Sequence, residues 1–461
     1  MGISSEQLRT WLRSTFTGWQ KPTSHPVDNS GEGAESLIGF VLAAAIVGGL
    51  TGLVAATFRL LLDDAADWRN SLASWAHGTW WGLLIVVVVC ASCAAIAAAM
   101  VRRIEPHAEG SGIPRVEALV AGRTEPSRMR ILPVKYAGGL LAIGSGLALG
   151  REGPSVQMGG SIAVLVARIT RRSRADMQVL AAGGAAAGLA TAFNAPIAGG
   201  VFVLEELVKR FDPRTTVATL IASASGFAAS YPFFHSHTDF HMEDLHEPHM
   251  INAGWVLIVG VVAGLLGVLY NKAIMVGLHT ADTSRWPAEL RAACVGIVVG
   301  ITVWSAPELA GAGDNLTQKA LLGQGTILAV LGILAFRFLL GVASYAALTP
   351  GGLFAPMLVL GADIGLIVGL ISHHLAPHSA PDAGALALIG MGAFFTATVQ
   401  APVTGLVLAI ELTGTTNQLP PMIGGCATAL LVAMALRSRP IYDLLTERTA
   451  ARSAPPSAVR R

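Results

Sequence analysis

Leu149-Gly-Arg-Glu-Gly-Pro-Ser-Val-Gln-Met-Gly-Gly160 is the stretch on which the reading of this chain turns. It sets Arg151 and Glu152 between glycines in a sequence that is otherwise oily. An ionisable side chain at membrane depth is expensive, and is a functional-site hypothesis by default. The glycines and Pro154 mark a broken helix whose next half starts near Pro154. Free backbone N–H groups at such a start, together with the helix dipole, attract anions. A carboxylate beside that position has the makings of a movable plug.

Outward from this stretch, the 461 residues are 53% hydrophobic and 13% charged, with 52 glycines. Apolar runs recur at roughly 36–62, 81–101, 132–150, 155–168, 179–207, 215–234, 253–277, 290–306, 321–347, 351–372, 384–414 and 420–436. Several reach the ~20 residues that a membrane-spanning helix needs. Others are shorter or broken by Gly and Pro, as in half-helices and re-entrant segments that line a cavity. The chain therefore reads as one all-α polytopic membrane domain in contact with a lipid bilayer. A formal charge of +2 is too small to imply a nucleic-acid partner.

Cys90, Cys93, Cys294 and Cys426 lie in apolar runs, and the Cys90-x-x-Cys93 spacing reads as helix packing. Residues 1–35 are polar and lack the pattern of a cleaved signal peptide. Leu8, Arg9, Trp11, Leu12 and Arg13 could form a short amphipathic surface helix there. Expected boundaries are a cytoplasmic segment 1–35, a transport domain 36–448 with repeats at 36–234 and 253–436, and a tail 449–461.

Arginine and lysine placement gives a consistent topology. Loop 63–80, with three aspartates and one arginine, is expected outside, as are 235–250 and His373 to Asp382. Arg102 to Arg130, Arg168 to Arg174, Lys209 to Arg214, Arg285 with Arg291, and Arg437 with Arg439 are expected inside. Both termini are then cytoplasmic, in the inner (plasma) membrane.

The sequence also repeats itself. GREGPSVQMGGSI (150–162) matches GLFAPMLVLGADI (352–364) at an offset of 202 (352 − 150). APIAGGVFVLEE (195–206) matches APVTGLVLAIEL (401–412) at an offset of 206 (401 − 195), which pairs Glu205 with Glu411. Corresponding interruptions in two halves point to a site at the midplane of a transporter.

Three of the Gly/Pro stretches end in a proline suited to the first turn of a helix: Gly110-Ser111-Gly112-Ile113-Pro114, Gly150-Arg151-Glu152-Gly153-Pro154 and Gly352-Leu353-Phe354-Ala355-Pro356. If these starts converge, their N–H groups form a positive pocket that holds a small anion yet releases it. Tyr442, after the last apolar run, offers a further hydroxyl donor.

In combination, GSGIP, GREGP, GLFAP and the late tyrosine resemble the selectivity filter of the CLC family of chloride channels and transporters, over about residues 36 to 448. The chain is most similar to the family's bacterial, ClcA-type proton–chloride exchangers. The resemblance implies a fold with two inverted-topology repeats, many tilted and re-entrant helices, and half-helix N-termini that meet at the midplane. It also implies a homodimer with one pore per subunit, chloride and protons as substrates, and no cofactor or metal. Ser111, Tyr442 and the amides of Leu353 and Phe354 would bind a central chloride. Glu152 would be the gate, displaced on protonation from the amides of Arg151, Gly153, Phe354 and Ala355. Glu206 would pass protons at the inner face, Glu117 and Arg151 would be a buried acid–base pair, and Lys135 a buried lysine. Regulatory CBS domains are not expected, because only 19 residues (461 − 442) follow Tyr442.

Other readings compete residue by residue. Glu152 could simply pair with Arg151, although neighbours on a helix do not face each other. Glu205 competes with Glu206, and Glu411 reads as a helix-packing polar residue. His235, His237, His241, His246 and His249 could hold a metal, but read more plainly as part of a solvated loop. A passive chloride channel is the alternative function. An enzyme is disfavoured because no HExxH site or serine–histidine pairing is evident.

Overall fold

The computed structural model describes residues 34–234, 238–242, 245 and 252–453. It divides into two units, Met1–Gly39 and Phe40–Arg461, and every candidate site residue lies in the second. The expected surface helix over 8–13 falls outside the described residues, as does the histidine-rich run apart from His241.

The regular structure of the described residues is all helical, with two isolated backbone bridges as the only β-type pairing among them. The first half comprises α1 (Ala34–Ala76), α2 (Gly82–Arg103), α3 (Ile113–Val120), α4 (Ile131–Gly144), α5 (Glu152–Ile169), α6 (Arg174–Phe193), α7 (Pro196–Phe202) and α8 (Pro213–Phe234). The second comprises α9 (Ala253–Thr283), α10 (Ala288–Ser305), α11 (Asp314–Leu321), α12 (Ile327–Ala346), α13 (Phe354–Leu375), α14 (Ala383–Val399), α15 (Pro402–Thr413) and α16 (Leu419–Ala435), followed by α17 (Ile441–Ser453). Seven of the described helices are long and apolar enough to cross a membrane.

Three apolar runs are broken where the residues demand it. Run 179–207 divides at Asn194 (φ 53°) and run 384–414 at Gln400 (φ 62°), both left-handed helix caps. Pro196 and Pro402 then open α7 and α15, since proline fits a first turn but cannot donate further in. Run 132–150 stops being helical at Gly144, and Gly146 turns the chain at φ 106°. The expected loop 63–80 is a correction: α1 continues as helix to Ala76, because no Gly or Pro occurs between Gly52 and Gly78 to end it.

The equivalent helices α7 and α15 lie antiparallel, which makes the two halves inverted copies. Glu411, near the end of α15, accepts hydrogen bonds from the amides of Ile197 (3.0 Å) and Ala198 (2.6 Å) at the start of α7. Glu205, just beyond α7, accepts from the amides of Val403 (3.1 Å) and Thr404 (2.7 Å) at the start of α15. Each carboxylate satisfies the free N–H groups that a helix start leaves, where the dipole favours negative charge.

Backbone contact between small residues repeats the same symmetry. A Cβ at Gly159 of α5 would fall on the carbonyl of Gly184 in α6, and one at Gly184 on that of Gly159. Gly361 of α13 and Gly390 of α14 stand in the same reciprocal relation. Small residues permit this approach, and packing rather than the hydrophobic effect drives helix association in lipid. Gly361→Leu is expected to destabilise the protein by about 3 kcal/mol or more, seen as a lower thermal midpoint in detergent. Gly332→Leu, where nothing lies within 4 Å of the added Cβ, is expected to leave the midpoint unchanged.

Candidate functional site

The three Gly/Pro stretches come together through one extended crossing. The Gly150 amide donates to the Gly352 carbonyl (2.9 Å) and the Gly352 amide to the Gly150 carbonyl (2.7 Å). On the other side of the crossing, the Gly110 amide donates to Thr349 (3.2 Å) and the Gly351 amide to Gly110 (3.0 Å). Segment 349–352 thus carries the loops that start α3 and α5 and leads directly into α13. Gly110 (φ 59°) and Gly112 (φ 78°) supply the left-handed turns before α3.

Glu152 is fully buried at the start of α5, and its carboxylate lies across Gly150 and Gly352. The Ala355 amide in the first turn of α13 donates to Glu152 Oε1 at 2.7 Å, whereas Oε2 has no hydrogen-bond partner among the described residues. A Cβ at Gly352 would stand 2.7 Å from Oε2 and 3.0 Å from the Gly153 amide, so only glycine leaves room for the carboxylate. Ser111 is buried against Gly153, where an added Cβ would meet its Cβ at 2.7 Å. Leu353, Phe354 and Tyr442 are completely buried. The Phe354 ring lies 6.0 Å from that of Tyr442 and 5.0 Å from that of Phe202. The Tyr442 hydroxyl has no hydrogen-bond partner among the described residues.

Lys135 is buried beneath the first loop, and its ammonium donates to the carbonyls of Ala108 (3.1 Å) and Gly110 (2.6 Å). Glu206 is buried in a π-helical turn, Val203–Leu207, with Oε1 unpartnered among the described residues. Because Glu205 is engaged in capping α15, Glu206 is the free carboxylate of the pair. Glu411 is a capping residue outside the site, in keeping with its plain reading.

Two cavities approach this centre. One touches Glu152, Ala355, Arg151, Asp239 and Asp314. The other, open to the surface, reaches Gly110, Ser111 and Gly112 and is rimmed by Arg115, Arg448 and Arg452. Ion pairs join distant segments of the chain: Arg59 with Asp239 (2.8 Å), Arg102 with Glu289 (2.7 Å), and Lys209 with Asp443 (2.6 Å).

Arg151 makes neither the competing pair with Glu152 nor the pair with Glu117 that the resemblance implies. It turns toward the first cavity; there it donates to the Ala192 carbonyl (2.9 Å) and lies 3.5–3.6 Å from Asp239, Asp63 and Asp314. Glu117, on α3, instead accepts from Thr446 of α17 (2.7 Å) and lies 3.8 Å from Lys209.

The family model described as voltage gated chloride channel matches residues 93–434. H(+)/Cl(−) exchange transporter ClcA of Cronobacter sakazakii is 34% identical, over 89% of this chain and 91% of that protein. The ClcA of Vibrio vulnificus is also 34% identical, over 89% and 90%. This chain belongs to the CLC family. Among solved structures, a slow cyanobacterial Cl−/H+ antiporter superposes with a TM-score of 0.86 at 30% identity, over 90% of this chain and 98% of that one. A CLC-type fluoride/proton antiporter shares the fold, with a TM-score of 0.74 at 20% identity, over 90% and 99%. The protein is therefore a multi-pass membrane protein of CLC fold.

Several residues around the CLC centre escaped the sequence reading. The Tyr345 hydroxyl packs against Gly110, where an added Cβ would meet it at 3.1 Å. Gln157 fills the space beside Gly112, and its amide donates to the His107 carbonyl (2.9 Å). Gln157 lies within the opening motif, and its polarity in an oily helix was the available signal. At the open mouth, burial alone would lower the Arg448 pKa. Hydrogen bonds and charge from Asp282 and Glu109 reverse this and raise it above the ordinary value. Lys135→Met would leave two loop carbonyls without their donor. It is expected to lower stability by about 2 kcal/mol, measured as a drop in the thermal midpoint.

Proposed function

We propose that the protein is a secondary active antiporter that exchanges chloride for protons. The observation that carries this reading is the Glu152 carboxylate, an anion already seated on the α13 amide start at 2.7 Å from the Ala355 nitrogen. A chloride and a carboxylate compete for such a place. Protonation removes the charge that holds Glu152 there, and the neutral side chain swings out and admits chloride. Chloride takes that place only when the charged carboxylate leaves it, so proton uptake and chloride entry are linked.

In this account Ser111, Tyr442 and the amides of Leu353 and Phe354 bind the central chloride. The unpartnered Tyr442 hydroxyl is the donor aimed at it. The surrounding filter comprises Gly110 to Pro114, Gly150 to Pro154 and Gly352 to Pro356, with the first loop held by Lys135. Glu206 takes protons to and from the cytoplasm, and Glu117 supports that mouth through Thr446. Relatives named as H(+)/Cl(−) exchange transporters and a neighbour titled Cl−/H+ antiporter support exchange over passive conduction.

The same reading assigns residues 36–448 to the transport domain, in the inner (plasma) membrane with both termini cytoplasmic. It also makes the protein a homodimer with a separate pore in each subunit.

The test is proton movement into liposomes driven by an imposed chloride gradient. Wild type is expected to drive protons uphill, while Glu152→Ala and Glu206→Gln pass chloride without them. Chloride flux in wild type with no proton movement would make the protein a channel and overturn the exchange reading.

A further inference from the structure

The open mouth holds an ionic group that the exchange reading does not use. Helix α17 carries Tyr442 in its first turn, and Arg448 and Arg452 one turn apart on one face further along. Arg448 donates to Glu109 Oε1 at 2.9 Å and to both Asp282 oxygens at 2.7 Å. Arg452 donates to the two Glu109 oxygens at 2.9 and 2.8 Å and lies 3.7 Å from Asp282. Glu109 immediately precedes Gly110-Ser111, and Asp282 ends α9.

One end of this network is therefore tied to the loop that carries Ser111, and the other to the helix that carries Tyr442. Glu109 is an odd residue for the wall of an anion's approach. Its charge repels the substrate across the cavity, and it lines the same cavity as Ser111. Its geometry toward the two arginines, with short charge-assisted bonds, accounts for it better than its effect on the anion does. Arg448 and Glu109 are largely shielded, with 13% and 18% side-chain exposure, so water weakens the pair less than it would at an open surface.

We propose that Glu109, Arg448, Arg452 and Asp282 form a clamp that holds the Ser111 loop and the start of α17 in register. The clamp thereby sets the separation of the Ser111 and Tyr442 hydroxyls and the affinity of the anion site between them. This rests on the assignment of those two hydroxyls as anion donors. The four clamp residues are positioning residues.

The sign of one change tests it. Simple electrostatics says that removing a carboxylate from an anion's path tightens chloride binding. The clamp requires the opposite, because the two donors lose register. Chloride is titrated calorimetrically into purified full-length wild type, Glu109→Gln, Asp282→Asn, Ser111→Ala with Tyr442→Ala, and Glu109→Gln with Arg452→Gln. The clamp predicts about fivefold weaker binding in Glu109→Gln, of the order expected for losing a charge-assisted pair that is partly exposed. Weakening of the same sign is expected in Asp282→Asn, which keeps the measurement decisive if Glu109→Gln does not fold. The charge-balanced Glu109→Gln with Arg452→Gln protein is expected to stay weak, since the bonds are still missing.

Unchanged or tighter binding in Glu109→Gln and Asp282→Asn, with the Ser111→Ala and Tyr442→Ala protein weakened, overturns the clamp and leaves the site standing. Wild-type affinity in the Ser111→Ala and Tyr442→Ala protein overturns the site assignment itself.

Discussion

Two backbone hydrogen bonds between Gly150 and Gly352, at 2.9 and 2.7 Å, are the constraint on which the rest of the structure depends. These are equivalent residues of the two halves, so the pair sits where the inverted copies meet. Each glycine leads into a helix start, α5 after one and α13 after the other. The exchange of two bonds therefore brings two sets of free amides face to face. A Cβ at either glycine would meet the Glu152 carboxylate, so glycine at both positions leaves open the seat that Glu152 occupies. The same segment ties down the Gly110 loop, so a third helix start joins the other two.

Inside lipid every backbone group must be satisfied within the protein, and irregular chain survives only where it is buried or lines a cavity. The halves meet this demand by exchange. Glu205 of the first half caps α15, and Glu411 of the second caps α7. Close glycine contacts between α5 and α6, and between α13 and α14, hold each half together behind its own helix start. Helix α17 is attached differently, through Thr446, Arg448 and Arg452 to the loop and helix that carry Ser111 and Glu117. The buried side chains of Ile441, Tyr442 and Leu445 complete that attachment at the start of the helix.

Much of the centre was legible because glycine and proline act locally. The three helix starts, and the repeat at offsets of 202 and 206, need only neighbours in sequence to be recognised. Partners that come from distant segments could not be read in this way. Arg151 finds Asp63, Asp239 and Asp314 on three separate pieces of chain, which no spacing rule foretells, and its expected pairing with Glu117 is not made. Glu205 and Glu206 were not separable by composition. The π-helical turn Val203–Leu207 gives the neighbours different roles, the first a cap and the second a buried, unpartnered carboxylate. The end of α1 is not marked by charge: Asp63, Asp64 and Asp67 continue the helix, because no breaking residue stands among them.

In the proposed mechanism, three helix starts, with Ser111 and Tyr442, make a site for a small anion. Diffraction from crystals grown in bromide tests it most directly, because the anomalous signal locates the halide without interpretation of its surroundings. The account predicts a peak within hydrogen-bonding distance of the Tyr442 and Ser111 hydroxyls and the amides of Leu353 and Phe354. A bound halide found elsewhere in the membrane body, with none between those groups, would contradict it.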